Sequence, residues 1–355
     1  MALVLIAGWQ ADSLPWWLGV PTGPHAVGFR SYSISRAAAG GDRSIQVALW
    51  YPAAGPAGRR LRLGELAALD AATDPDRPAG AVTPLQWLAA GATGTDSLAP
   101  PFEAALGAPL RSIAGARTAP GRWPAVVWGS RHGTPTAQAP LSELLASHGH
   151  VVLAAWSPDA PLTFPWENRP ASEKAATIAA QVGDLLAAIA SAEAQLDTTR
   201  VTLIAWSYGG RTAAELAKRL TGISSMVSLD ANVAPDDPDA PFALGAPFLW
   251  LVGRDTTRRG VERRFGPDSR TTIGRLPAIT HGNFNSLEGY LPGLLAVDRV
   301  PRWSTPGPIA VQGYRALMRI VLTWVTAATA GRPVSPADLA AAAGNVAIEV
   351  RTAGK

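Results

Sequence analysis

Short apolar runs alternate with helical patterns along most of this chain. Runs of mainly β-branched and large apolar residues occupy positions 126–128, 151–156, 201–205, 226–229 and 248–252. Between them, apolar residues recur every three or four positions, as at Ile178, Val182 and Leu185, which is the period of an amphipathic helix. Continuous apolar strands separated by helices are typical of a mostly parallel sheet covered on both faces. The pattern therefore predicts an α/β fold.

The ends of this pattern differ from its middle. Residues 32–35 and 45–51 predict an antiparallel pair at the edge of the sheet, joined through Gly40 and Gly41. Residues 54–122 are rich in Gly, Pro and Ala and show no strand pattern, so we interpret them as an insertion. A second insertion, at 283–308, has the Leu and Tyr content of a partial lid. We expect a single domain over 1–355 with these two excursions.

A helical pattern over 317–328 is the last one that the sequence predicts. Gly331 and Pro333 follow it, and these residues commonly end a helix.

Residues 201–210 (VTLIAWSYGG) carry the clearest chemical signal. A sharp turn from strand to helix needs small residues two positions before and after its centre, and Ala205 and Gly209 provide them around Ser207. Such a turn exposes the Ser207 hydroxyl at the carboxyl edge of the sheet. It also aims the backbone N–H of Tyr208, at a helix N-terminus, at a developing oxyanion. A buried serine in an ordinary turn is the alternative that the flanking strand and helix patterns disfavour.

The general base is chosen from five histidines. His148 and His150 lie just before a predicted strand, at the opposite edge of the sheet, and His25 lies in the N-terminal arm. His132 follows a strand on the correct edge, but in the loop expected to form an oxyanion hole. His281 comes late in the chain, in the order serine, acid, histidine that suits a nucleophile on a strand-to-helix turn. We favour His281, with His132 as its competitor.

Four segments resemble one known family in the order in which they occur. They are 42–53 (DRSIQVALWYPA), 145–149 (LASHG), 228–231 (SLDA) and 281–284 (HGNF). They resemble the platelet-activating-factor acetylhydrolase and dienelactone-hydrolase-like group of the α/β-hydrolase superfamily. The resemblance implies an α/β-hydrolase fold, with a mostly parallel twisted sheet, helices on both faces and an antiparallel N-terminal edge. It also implies serine esterase activity on short or oxidised acyl esters, with no metal or cofactor.

Two aspartates compete for the role of the acid. The resemblance places the acid at Asp230, directly after the strand that follows the nucleophile. Asp255 follows the next strand, where most α/β hydrolases, including cutinases, carry theirs. Either carboxylate could orient His281 and stabilise its charged form. We favour Asp230, because the matches at 228–231 and 281–284 point the same way.

The family pattern is modified around the predicted oxyanion hole. The family turn reads Gly-His-Ser-Phe-Gly-Gly, whereas this chain has Trp206 before its serine. The loop after the first parallel strand reads WGSRHG at 128–133, in place of Ser-His-Gly directly after the strand. We expect the backbone N–H of Ser130 or Arg131 to join that of Tyr208.

Trp206 and Trp156 are the predicted pocket walls. Trp206 adjoins the nucleophile, and Trp156 ends a predicted strand at the catalytic edge. Aromatic walls would suit an aryl or bulky apolar ester. The chain has 13 tryptophans, so a core or surface role is the alternative for each.

Composition excludes several classes of function. Hydrophobic residues make up 47% of the chain and charged residues 16%, which indicates a folded globular protein. The net charge of +4 comes from scattered arginines, so we expect no nucleic-acid partner. There are no cysteines, and no apolar stretch reaches the ~20 residues of a membrane span. The apolar N-terminus slightly favours a secreted or periplasmic protein.

These patterns predict a serine carboxylester hydrolase that forms an acyl-enzyme on Ser207. Its partner would be a small-molecule or polymeric ester. A polyester hydrolase of the lipase or cutinase kind and an amide or peptide hydrolase remain alternatives on the same three residues. A catalytically silent binding protein is disfavoured, because both Ser207 and His281 are present.

Overall fold

The computed structural model describes residues 20–38, 41–71, 107, 109–129, 135–157, 170–231, 233, 245–256, 270–284 and 307–352. The strands are β1 (Ala26–Ala38), β2 (Gly41–Ala53), β3 (Arg60–Arg62), β4 (Pro109–Ala114), β5 (Trp123–Gly129), β6 (Val151–Trp156), β7 (Leu196–Trp206), β8 (Ile223–Leu229), β9 (Phe248–Val252), β10 (Thr271–Arg275) and β11 (Glu349–Thr352). The helices are α1 (Leu63–Ala71), α2 (Pro135–Ser147), α3 (Ala171–Ser191), α4 (Gly209–Ala217), α5 (Gly307–Thr329) and α6 (Pro336–Ala343), with a 3-10 helix over His281–Phe284.

All the described strands belong to one sheet, in the order β11-β10-β9-β8-β7-β5-β6-β2-β1-β4-β3. Its middle, from β10 across to β6, is parallel throughout. Strands β2 and β11 flank this middle in the antiparallel sense. The predicted mostly parallel sheet is confirmed. Parallel strands bring their carboxyl ends to one edge, so the residues after β7, β8 and β9 lie close together.

Helices cover both faces of the sheet, as predicted. On one face, Val126, Ile204 and Val227 pack with apolar residues of α2 and α5. On the other, Leu203 and Ala205 pack with residues of α3 and α4. Successive strand residues point to opposite faces and both faces are buried, which explains why the strands read as continuous apolar runs.

The N-terminal hairpin is longer than predicted and is not the edge of the sheet. Strands β1 and β2 pair antiparallel with Ile34 opposite Ile45. Strand β4 then adds to β1, and β3 adds to β4, so that β3 is the outermost strand.

The prediction of no strand within 54–122 is therefore wrong. Strands β3 and β4 hold their places through backbone pairing, and β3 has three residues, too few to show a period of two. Residues 72–100 lie outside the described part of the chain, as does most of the predicted insertion at 283–308.

The chain also continues past the last predicted helix. Helix α6 begins with a capping box, in which the Ser335 hydroxyl accepts from the Asp338 N–H and the Asp338 carboxylate accepts from the Ser335 N–H. Ser-Pro-x-Asp is a readable start signal for a helix, so the sequence contained this information. Strand β11 then pairs with β10. Among the described residues, no helix is long and apolar enough to cross a membrane.

Candidate active site

Ser207 lies at the sharp turn between β7 and α4. Its φ of 54° is in the left-handed region, which a non-glycine residue rarely adopts without strain. The neighbouring backbone is tightly packed: a Cβ on Gly129 would lie 2.6 Å from the Ala213 Cβ and 2.8 Å from the Gly209 carbonyl oxygen. A glycine at position 129, where β5 passes the turn, is therefore a steric requirement.

Three predicted residues meet at the carboxyl edge of the sheet. The Nε2 atom of His281 is 3.1 Å from the Oγ of Ser207, and its Nδ1 is 2.7 Å from Oδ2 of Asp230. Asp230 directly follows β8 and His281 opens the 3-10 helix after β10. The His281 side chain is 48% exposed and that of Asp230 only 4%, so solvent reaches the imidazole but not the carboxylate.

Asp230 is fixed by donors other than His281. The Gly253 N–H donates to Oδ1 at 3.1 Å, and the Thr256 hydroxyl donates to the same oxygen at 2.5 Å. The Asp230 backbone, at φ 51°, donates its own N–H to the Leu251 carbonyl at 2.7 Å. The residues around the end of β9 therefore hold Oδ1 of Asp230 and leave its Oδ2 facing the imidazole.

The competing aspartate lies elsewhere. Asp255 has a 59% exposed side chain and pairs with the Arg254 guanidinium at 3.2 Å. Two residues near Asp255 in the same segment, Gly253 and Thr256, donate hydrogen bonds to Asp230. The segment thus supports the Asp230 carboxylate that faces His281. Of the two predicted acids, the structure brings only Asp230 to the histidine.

The segment around His281 is anchored through its neighbours. The buried Asn283 Oδ1 accepts from the Thr280 N–H at 3.1 Å and from the Thr280 hydroxyl at 3.0 Å. Phe284 is fully buried, and a Cβ on Gly253 would lie 3.2 Å from its ring and 3.0 Å from the Ile279 carbonyl oxygen. The motif at 281–284 signals a resemblance, but its anchoring contacts appear only in the folded chain.

The predicted pocket tryptophans occupy different places. Trp206 stacks on the His281 imidazole, with ring centroids 5.3 Å apart and planes 24° apart, and its indole N–H donates to the His281 carbonyl at 3.1 Å. Trp156 ends β6 opposite Gln46 and is separated from β7 by β5. Both pack against the same core cluster. Tyr208 precedes α4 at its N-cap position.

Comparison with solved structures shows which known proteins have a similar architecture. The chain is similar to a ferulic acid esterase from Streptomyces cinnamoneus, with 20% identity, a TM-score of 0.64 and coverage of 90% of this chain and 94% of that one. A protein described as m3DLH and the dienelactone hydrolase-like promiscuous phosphotriesterase P91 from metagenomic libraries each match 84% of this chain and 99% of theirs. Both are 14% identical, with TM-scores of 0.48 and 0.47. No protein-family model and no curated protein matches the sequence.

The chain has the α/β-hydrolase fold. In this α/β-hydrolase fold, Ser207, Asp230 and His281 lie at the edge where open α/β sheets bind their ligands. The predicted oxyanion residues Ser130 and Arg131, together with His132, lie outside the described residues.

The other histidines that the structure describes, His25, His148 and His150, are at the opposite edge of the sheet. His25 meets the ring of Trp123 edge to face. The Nδ1 atom of His148 lies 2.9 Å from the Leu144 carbonyl oxygen. Burial lowers the pKa of His150 to about 4, and the positive charges of His148 and Arg200 add to the effect. Within the described ranges, no cluster of three or more His, Cys, Asp or Glu residues is arranged to hold a metal ion.

Proposed function

We propose that this chain is a serine carboxylester hydrolase. One observation carries the proposal: Ser207, His281 and Asp230 form a continuous chain of contacts at 3.1 and 2.7 Å, with the serine on a strained strand-to-helix turn. A nucleophile, a base within hydrogen-bond reach of it and a third group that orients the base are the parts that acyl transfer requires.

In the proposed acylation step, Asp230 holds His281 in the tautomer with its proton on Nδ1. The free Nε2 then accepts the Ser207 proton as Oγ attacks the ester carbonyl carbon. The buried carboxylate stabilises the imidazolium that forms, since it is close and little screened by water. Collapse of the tetrahedral intermediate breaks the ester C–O bond, and His281 returns the proton to the leaving alcohol.

The oxyanion of that intermediate needs at least two donors. We assign one to the Tyr208 N–H, at the start of α4, and the second to the N–H of Ser130 or Arg131. In deacylation, a water takes the place of the alcohol. His281 removes its proton, the carboxylic acid is released, and Ser207 regains its hydroxyl hydrogen.

Aryl and bulky apolar esters are the first substrates to test. The solved structure with a TM-score of 0.64 is a ferulic acid esterase, whose name denotes an ester with an aromatic acyl group. Trp156 at the same sheet edge would add an aromatic surface to a pocket there. We therefore propose a substrate panel that contains p-nitrophenyl esters of rising acyl length, a feruloyl ester, a polyester film and the amide of one accepted acyl group.

Labelling with a fluorophosphonate tests the nucleophile. Intact mass should show a single adduct, peptide mapping should place it on Ser207, and ester hydrolysis should be lost with it. Ser207→Ala should abolish both labelling and turnover while the circular dichroism spectrum and melting temperature stay unchanged. Ser191→Ala is the matched control, because Ser191 lies at the end of α3 and its hydroxyl bonds to the Tyr32 hydroxyl and the Ala188 carbonyl.

Three outcomes would contradict the proposal. Ester hydrolysis that survives in Ser207→Ala would show that another group is the nucleophile. A folded protein that neither reacts with the fluorophosphonate nor turns over any panel member would instead be a silent binding protein. Amide cleavage at a rate comparable to that of the matched ester would move the assignment to a peptide or amide hydrolase.

A further inference from the structure

We infer that Trp206 is a positioning residue that holds the base of the reaction, and that it is not a wall of the acyl pocket. This inference rests on the proposed function of Ser207 and His281. The observation that carries it is the double contact of one side chain with one histidine: the indole stacks on the imidazole, and the indole N–H donates to the carbonyl of the same residue.

His281 needs such support. Its side chain is 48% exposed, and it opens a 3-10 helix of only four residues. The contacts of Nδ1 with Asp230 and of Nε2 with Ser207 fix two ring atoms, but they leave the imidazole plane free to tilt about the line that joins those atoms. A flat partner over the imidazole face restricts that tilt. Trp206 supplies the partner from the strand that carries the nucleophile.

The position of Trp206 in the sheet makes this support stiff. Trp206 pairs in register with Leu229 of the neighbouring strand, so the next residues along the two strands are Ser207 and Asp230. Its ring also packs against the main apolar cluster. One side chain thus ties the histidine to the same two strand ends that present the nucleophile and the acid.

The stack also has an electrostatic consequence. An aromatic face attracts a positive charge placed over it, and in the proposed reaction His281 becomes positive when it takes the Ser207 proton. The indole therefore favours the transition state over the resting enzyme. Interactions of that kind act on kcat, whereas a pocket wall that binds substrate and transition state alike acts on KM.

Two substitutions separate the contacts. Trp206→Phe keeps a ring over the imidazole and removes the N–H donor, while Trp206→Leu removes both. We expect Trp206→Leu to lower kcat on the order of 10- to 100-fold with KM little changed, the size typical of lost outer-shell orientation. Trp206→Phe should keep most of kcat. The rate of fluorophosphonate labelling of Ser207 should fall in the same order, since it uses the same base.

Trp123→Leu is the matched control. Trp123 also packs on a histidine, His25, at 5.0 Å, and its N–H also donates to a backbone carbonyl, that of Ala119 at 3.4 Å. It lies at the opposite edge of the sheet, at the start of β5. Its loss should therefore disturb the fold to a similar degree and leave kcat unchanged.

Proton NMR gives a readout independent of turnover. The Nδ1 proton shared by His281 and Asp230 should give a far-downfield signal that disappears in Asp230→Asn, persists in Trp206→Phe and broadens by faster exchange in Trp206→Leu. A Trp206→Leu protein with unchanged kcat, a change confined to KM, or a loss of kcat no larger than that of Trp123→Leu would overturn the inference. The proposed function would survive those outcomes as long as Ser207→Ala remains inactive.

Discussion

Two aspartates in this molecule have similarly buried side chains and opposite surroundings. The side chain of Asp184, on α3, is 5% exposed and receives the guanidinium groups of Arg36 at 2.7 Å and Arg43 at 3.0 Å. That of Asp230 is 4% exposed, and its partners are an imidazole, a backbone N–H and a hydroxyl. Asp184 lies in a regular helix, whereas Asp230 has a φ of 51°.

The difference distinguishes a structural carboxylate from the one that we propose takes part in the reaction. Two permanently charged guanidinium groups pair with Asp184, and they tie α3 to the β1–β2 hairpin. Asp230 instead contacts an imidazole, a backbone N–H and a hydroxyl, so its charge is most strongly compensated when His281 is protonated. A strained backbone and an exposed, titratable partner are typical of a reactive site. A carboxylate that is fully paired with arginines is typical of a structural ion pair.

The largest effect should follow from Asp230→Asn. The amide cannot stabilise the imidazolium, and it favours the wrong tautomer of His281, so we expect kcat/KM to fall by about 10⁴-fold. The denaturation midpoint should change little. Steady-state kinetics with the best panel ester measure the loss. Asp255→Asn is the control, and an equal loss there would reverse the assignment of the two aspartates.

Asp184→Asn should show the opposite pattern. Removing one member of a buried ion cluster leaves two poorly compensated guanidinium groups, so the free energy of unfolding should fall by about 3 kcal/mol. Both arginines keep some contact with water, which places the effect at the low end of the range for buried pairs. Urea denaturation measures it. The kcat of the folded fraction should remain that of the wild type, and a selective loss of kcat would erase the distinction drawn between the two carboxylates.

The buried His150 should make the stability of the protein depend on pH. Burial keeps the pKa of His150 near 4, while an unfolded chain gives histidine about 6.5. Between these pH values the unfolded state binds more protons than the folded state. The contribution of His150 to the free energy of unfolding is therefore fully present above pH 6.5 and is lost as the pH falls toward 4. The loss should reach about 3 kcal/mol. Urea midpoints between pH 7 and pH 4 measure it, and a His150→Gln protein with an equally steep dependence would assign the effect to other groups.

The smallest effect should come from Thr256→Val. The substitution removes one neutral donor to Asp230 and preserves the shape of the side chain, so the carboxylate keeps its charge but loses part of its orientation. We expect kcat to fall about tenfold, which corresponds to about 1.4 kcal/mol, with KM unchanged. Thr256→Ser should restore most of the activity. A Val variant as active as the wild type would show that Gly253 alone orients the acid.

The sequence was most informative where local chemistry is strict. The strand-to-helix turn at Ser207 requires small residues at fixed offsets, and continuous apolar strands require burial on both faces. It was least informative where an element is held by backbone pairing with other strands or is only a few residues long. Strand β3 is too short to show a period, and the capping box at Ser335 and Asp338 was legible but lay beyond the last strong apolar pattern.

The amino-acid sequence by itself determined the α/β character, the turn that presents Ser207 and the late position of His281, because each follows from periodicity, residue size or chain order. Only the tertiary structure shows which of Asp230 and Asp255 contacts His281, since both follow parallel strands that end at the same edge and differ by where their carboxylates point. It also decided that Trp206 faces His281. Contacts between residues 51 and 75 positions apart depend on how strands are ordered in the sheet, which no local pattern records.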